Sequence, residues 1–111
     1  MAQLKSRTLA SGTGANGLPI ATTTIYTSSG QNRRQINELR IFNNNVTDEL
    51  VELFLLPYGA GAPVKISQHV LDANGGWGKV LRDMPIGPGD AIQARTTTAA
   101  MVDYVLNGEV E

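Results

Sequence analysis

"ELVELFLLP", residues 49–57, reads two ways, and the choice decides the fold. Leu50, Leu53 and Phe54 satisfy a helical period, and Glu and Leu both favour helix. Read as a strand, the same segment has two largely apolar phases, as in a strand covered on both faces. Length arbitrates. Pro57 closes one side and the turn chemistry of "NNNVTD", residues 43–48, closes the other, leaving only about eight residues. A helix that short is marginal, so the segment is read as a strand.

The neighbours of this segment follow the same grammar. "PIATTTIYT", "RQINELRIF", "VKISQHVL", "WGKVLRDM", "AIQART" and "AMVDYVLNG" are short apolar stretches, each bounded by Gly, Pro, Asn, Asp or Thr-rich turns. With "ELVELFLLP" they make seven strand candidates at the spacing of an all-β sandwich or barrel. Val64, Ile66, Gln68 and Val70 alternate with Lys65, Ser67 and His69, which places His69 on the polar, solvated phase. Ala100, Val102, Tyr104 and Leu106 alternate in the same way with Met101, Asp103, Val105 and Asn107. No other segment sustains a 3.6-residue period. The expected fold is all-β: a single antiparallel β-sandwich of seven to eight strands, jelly-roll or immunoglobulin-like in strand order.

Residues 1–18 differ in kind. They carry little apolar content and three close glycines, a composition that cannot order itself by burial. They are expected to form a flexible, extended N-terminal arm, with the sandwich domain spanning residues 19–111. The stretch "GTGANG", residues 12–17, matches G-x-G-x-x-G letter for letter. A phosphate cradle, however, needs a buried strand before the glycines and a helix starting at the last one. Here the following residues, "LPIATTTIYT", are β-branched and extended. Glu38 then stands at the spacing of a ribose-binding acid without the helix that gives the spacing meaning. The motif is read as a small-residue hinge.

A chain of 111 residues and 11.8 kDa is one domain. It buries roughly 65% of its unfolded surface, enough for a core without staples. Cysteine is absent, which excludes disulfides and thiolate metal sites. The first residues lack the apolar stretch of a signal peptide, and no segment approaches a transmembrane helix in length. Charge is unevenly laid down. Residues 1–40 carry Lys5, Arg7, Arg33, Arg34 and Arg40 against Glu38, whereas residues 41–111 carry four basic and nine acidic side chains. Two cations near the start are too few for a nucleic-acid arm, so the split is read as complementary docking onto a protein or a second copy.

Residues for chemistry are sparse. His69 is the single histidine, and no motif supplies the base and orienting group that nucleophilic catalysis needs. "DANGG", residues 72–76, lacks the spacing and closing Glu of a calcium loop and reads as an Asn-Gly hairpin turn. Asp83, Asp90 and Asp103 belong to no recognisable acid pair. The sequon at Asn45 has no meaning without a secretory signal. The six aromatics are spread over separate strands and turns rather than interleaved with a basic groove. Neither enzyme, cofactor, metal nor nucleic acid is expected. Trp77, following "GG" at the mouth of a strand, is read as an interface anchor or as the cap of its own core.

The run from "IYTSSGQNRRQINELRIFNNN" through "LLPYG" to "MPIGPGDAIQARTTTAAMVDYVLNGEVE" resembles a group of small virion proteins of tailed bacteriophages. Tyr26, Thr27, Asn43 to Asn45, Gly89, Asp90, Ile92, Ala94 and Gly108 stand at the group's characteristic places, over about 85 of 111 residues. "SSGQNRR" departs from the Pro-Ala-Gly common in its first turn. The resemblance implies a sandwich that assembles symmetrically, with a trimer favoured, and attaches to the particle. Its members are capsid decoration (cement) proteins, or neck, head-spike or tail accessory components. It implies the major capsid protein as partner, no membrane, and a location in the virion after synthesis in the host cytoplasm. The residues expected to contact a partner or another copy are Leu4, Lys5, Arg7, Leu9, Arg33, Arg34 and Trp77. A carbohydrate-recognising module on the host-facing surface is the alternative.

Overall fold

The computed structural model describes residues 5–28 and 34–110. The chain forms β1 (Lys5–Gly12), β2 (Thr23–Thr27), β3 (Arg34–Asn43), β4 (Glu49–Leu56) and β5 (Val64–Leu71). These are followed by β6 (Trp77–Val80), β7 (Met84–Ile86), β8 (Ala91–Thr96) and β9 (Val102–Val110). The segment Glu49–Leu56 is a strand, as its length requires. All seven expected stretches become strands. "WGKVLRDM" becomes two, because Leu81 and Asp83 take positive φ and break the run between β6 and β7.

Two antiparallel sheets pack face to face. The first has the order β1-β9-β3-β6, with β7 also on β3, and the second has the order β2-β8-β4-β5. Taken as two halves of one strand, β6 and β7 complete a nested series: β4 with β5, β3 with β6 and β7, β2 with β8, β1 with β9. That is the strand order of a jelly roll, not of an immunoglobulin sandwich.

Alternate residues of both sheets point between them. Ile36, Leu39, Ile41, Val102 and Leu106 from the first sheet meet Val51, Leu53, Ile92 and Ala94 from the second. All of these are essentially inaccessible to solvent. In β4 only one phase is covered in this way: Val51 and Leu53 are buried, whereas Leu50, Phe54 and Leu56 are half-buried on the outer face. The expectation of cover on both faces is therefore corrected, since among the described residues no third layer lies over the second sheet.

The expected arm is also corrected over its described part. Residues 5–12 are an edge strand paired along β9, and Leu9 and Ala10 pack against the core. Leu18 is fully buried, its amide donating to the Val102 carbonyl and its carbonyl accepting from Ala100. Composition misleads here because β9 supplies the backbone partners and the rest of the domain supplies the apolar surface. "GTGANG" is the closing turn of this strand, with a 3-10 turn at Gly14–Asn16. A side chain at Gly12 would collide with the Asn16 carbonyl, which is why a glycine stands there.

One corner is closed by buried polar groups. Asn43 ends β3 with no exposed surface, and its side-chain N–H groups donate to the carbonyls of Thr47, Asp72 and Leu71 at 3.0, 3.1 and 3.3 Å. Its Oδ1 accepts the Asn45 amide at 2.8 Å. Glu49, 1% exposed, accepts from the Asn45 side chain, the Thr96 and Thr98 hydroxyls and the Thr98 amide. Together they fasten the β3–β4, β5–β6 and β8–β9 connections. "DANGG" has the positive φ values of an Asn-Gly turn at Asn74 and Gly75, but it carries the chain from one sheet to the other rather than closing a hairpin. Substituting Asn43→Ala leaves the buried Leu71 carbonyl and the part-buried carbonyls of Thr47 and Asp72 short of a donor, at a cost of about 2–4 kcal/mol. Urea unfolding is expected to show a lowered midpoint with an unchanged slope.

Candidate functional site

The outer face of the first sheet carries the clearest concavity. The register sets Asp103, Phe42 and Trp77 side by side across β9, β3 and β6. The next row on the same face is Ser11, Val105, Arg40 and Lys79. Between these rows lies a depression of about 270 Å³, lined chiefly by Phe42, Trp77, Val105, Arg40, Asp103 and Tyr104. Trp77 is 64% exposed and Phe42 42% exposed, unusual for rings that are neighbours in one sheet. Asp103 is fixed at the rim because its Oδ1 accepts the Gly14 amide at 3.0 Å. Burial pushes the Tyr104 phenol above its ordinary pKa. Lys79 and Glu38 stand 3.9 Å apart beyond Arg40.

The second sheet presents a different outer face. Across its middle, Glu52 receives Arg95 through two contacts of 3.0 Å and Lys65 at 2.7 Å. The Arg95 guanidinium also lies 5.5 Å from the centre of the Phe54 ring, within cation–π range. Beside this ladder, β5 exposes Ile66 and Val70, with Val70 64% accessible, and Val64 is exposed at the end of the strand opposite Leu55. The expected phase of this strand is inverted. A bulge opposite Leu53 and Phe54 leaves Ile66 unpaired, and the Ser67–His69 side is the half-buried one. His69 is accordingly not a solvated histidine: its Nε2 is hydrogen-bonded to the Ser67 hydroxyl. Among the described residues nothing orients its Nδ1, so the pair lacks the third member of a catalytic triad.

The four sheet edges share a feature. β1 is bulged between Thr8 and Ala10, β2 between Thr24 and Tyr26, and β5 at Ile66, and the β6–β7 edge is broken. Interrupted edges resist pairing with a strand from another chain.

Of the residues expected to make contacts, Trp77 is exposed within the depression. Arg7 is exposed on β1, beside a shallow hollow with Thr8, Asn37, Asn107 and Gly108. Leu9 differs from the expectation of a free arm: it is half-buried, packs against the core and comes close to Gly108. Lys5 and Arg34 are brought together by topology, since both pair with Val110 from opposite sides of β9. Leu4 and Arg33 lie outside the described residues. The acids Asp83, Asp90 and Asp103 serve separate turns, and both Asp90 carboxylate oxygens accept backbone amides, from Tyr58 and Gly87. Sequence reasoning missed Phe42, Arg40, Asp103, Val64, Ile66 and Val70. The outward phase of β3 held the signal for the first two; pairing with β9 and the bulge in β5 held it for the others.

No family model matches the chain, and no curated protein is similar to it.

Glu52 offers a test of the second face. Hydrogen bonds from Arg95 and then Lys65 hold its pKa at about 2, below its ordinary 4.5. A depressed carboxylate stabilises the fold above its unfolded pKa, and that contribution is lost as the pH falls through its folded value. The urea midpoints of the wild type and Glu52→Gln are expected to differ by a constant amount above about pH 5 and to converge towards about pH 2.

Proposed function

We propose that this chain is a non-enzymatic structural subunit of a tailed-phage virion, a capsid decoration (cement) protein that assembles as a symmetric oligomer and binds the shell. One observation carries the reading. Apolar side chains are exposed on both outer faces of a sandwich whose edges are all interrupted: Phe42 and Trp77 on one side, Ile66 and Val70 on the other. A protein working alone seldom displays such patches. With strand addition blocked, faces are the surfaces left for assembly.

The β5 face is the contact between copies. It exposes Ile66 and Val70 and borders the ion-paired ladder, which satisfies its own charges and asks nothing of a neighbour. A cyclic trimer presents three shell-facing surfaces together, so weak individual contacts add through effective concentration. The jelly-roll order suits this role by analogy, since capsid subunits use that architecture, although fold alone does not assign function.

Light scattering after gel filtration is expected to give an oligomer for the wild type and a folded monomer for Val70→Glu, which buries a charge in the proposed contact. Quantitative mass spectrometry of purified particles is expected to find a copy number of the same order as the shell protein. A low copy number assigns the chain to the neck, spike or tail instead. Absence from the particle, or a monomeric wild type at micromolar concentration, refutes the proposal.

A further inference from the structure

We propose that the depression between Phe42 and Trp77 is a binding site for a neutral sugar ring. The site lies on the face opposite the assembly contact and does not depend on the virion reading.

The argument begins with shape. A concavity of about 270 Å³ lies just below the range of ligand pockets, about 300 to 1,000 Å³, and it suits a single ring rather than an extended chain. Its floor is aromatic and aliphatic, from Phe42, Trp77 and Val105. Its rim carries one guanidinium, Arg40, and one carboxylate, Asp103. A pyranose has the matching chemistry. One face of the ring is a patch of C–H groups that stacks on an aromatic surface, and its edge bears hydroxyls that both donate and accept.

Charge narrows the class. Arg40 and Asp103 cancel within the depression, and Lys79 is balanced by Glu38 beyond it. The basic positions Lys5, Arg7 and Arg34 lie at the far end of β1 and β3 from Phe42. A phosphorylated or sulfated ligand gains nothing at the aromatic end. A peptide strand fares no better, because the adjacent β6 edge is four residues long and ends at Leu81–Asp83. The site is also preformed. Asp103 is held by the Gly14 amide, and Gly75 leaves open space beside the Phe42 ring.

The test is saturation-transfer NMR on the full chain, with maltohexaose, a β-linked N-acetylglucosamine hexamer and a galactomannan oligosaccharide as neutral probes and a heparin oligosaccharide as anionic control. The expected result is transfer to the ring C–H protons of at least one neutral probe at millimolar concentration. Trp77→Ala is expected to weaken that binding at least about tenfold, Trp77→Phe to retain most of it, and Arg40→Gln to weaken it severalfold. Both positions are exposed, so the variants keep the fold, which amide spectra check. No transfer from any neutral probe, undiminished binding by Trp77→Ala, or preference for heparin overturns the proposal. So does Trp77 emission that shifts with protein concentration alone, since a second copy then covers the face.

Discussion

The corner held by Asn43 and Glu49 is the constraint on which the remaining geometry rests. A sandwich has two faces joined by apolar contact, and such contact is non-directional, so it does not by itself fix how one sheet lies over the other. Hydrogen bonds do. Asn43 belongs to the first sheet, yet its side chain reaches the Leu71 and Asp72 carbonyls at the end of β5 in the second. Glu49 begins β4 and reaches the β8–β9 connection. The Asn43 amide then donates to the Gly76 carbonyl, and its carbonyl accepts from Gly75, which delivers Trp77 beside Phe42. A buried carboxylate without partners is costly, but one accepting four hydrogen bonds within a connected network rigidifies what it touches. The aromatic row is thus a consequence of a polar corner.

The interrupted edges and the exposed faces are two sides of one arrangement. A bulge bends a strand and raises its twist, which breaks the flat ladder that a foreign strand needs. In β5 the same bulge has a second effect. It shifts the alternation beyond Ser67, so that Lys65 pairs with Phe54 and meets Glu52 on the outer face, while Ser67 and His69, paired with Leu53 and Val51, keep the half-buried side. The device that closes the edge to pairing therefore also brings Lys65 to the ion-paired ladder.

Much of this was legible in the sequence, and what escaped did so for physical reasons. Turn residues at regular spacing gave the strands, and the eight-residue length of Glu49–Leu56 excluded the helix that its leucines suggested. Strand order did not follow from them, because nested pairing joins segments as distant as Lys5 and Val110. The first strand was invisible for the same reason. Its stability lies in β9 and in a core assembled from elsewhere, so the polar text of "KSRTLASG" said nothing of its place. Asn43 read as turn chemistry and Glu49 as one more surface acid; only three connections meeting at one corner give them a buried role. Trp77 was singled out as an interface anchor or a core cap and stands exposed, whereas its neighbour Phe42 needed the register of β3 against β6.

The uneven charge of the two halves finds an intramolecular explanation in the same nesting. In a jelly roll, strands from the first part of the chain pair mainly with strands from the last. The backbones of β1 and β3 are thereby laid beside β9, which carries Asp103 and Glu109, and Lys79 of β6 stands 3.9 Å from Glu38 of β3. Glu52, Lys65 and Arg95, all from the second half, settle their charges within the other sheet. A separation along the chain is not a separation in space, and it gives no argument for docking onto a complementary surface. What survives folding is smaller and better placed: a neutral aromatic end on the outer face of the first sheet. Exposed charges more than a Debye length apart, about 10 Å at moderate salt, act independently. The basic positions at the far ends of β1 and β3 therefore leave the aromatic end neutral.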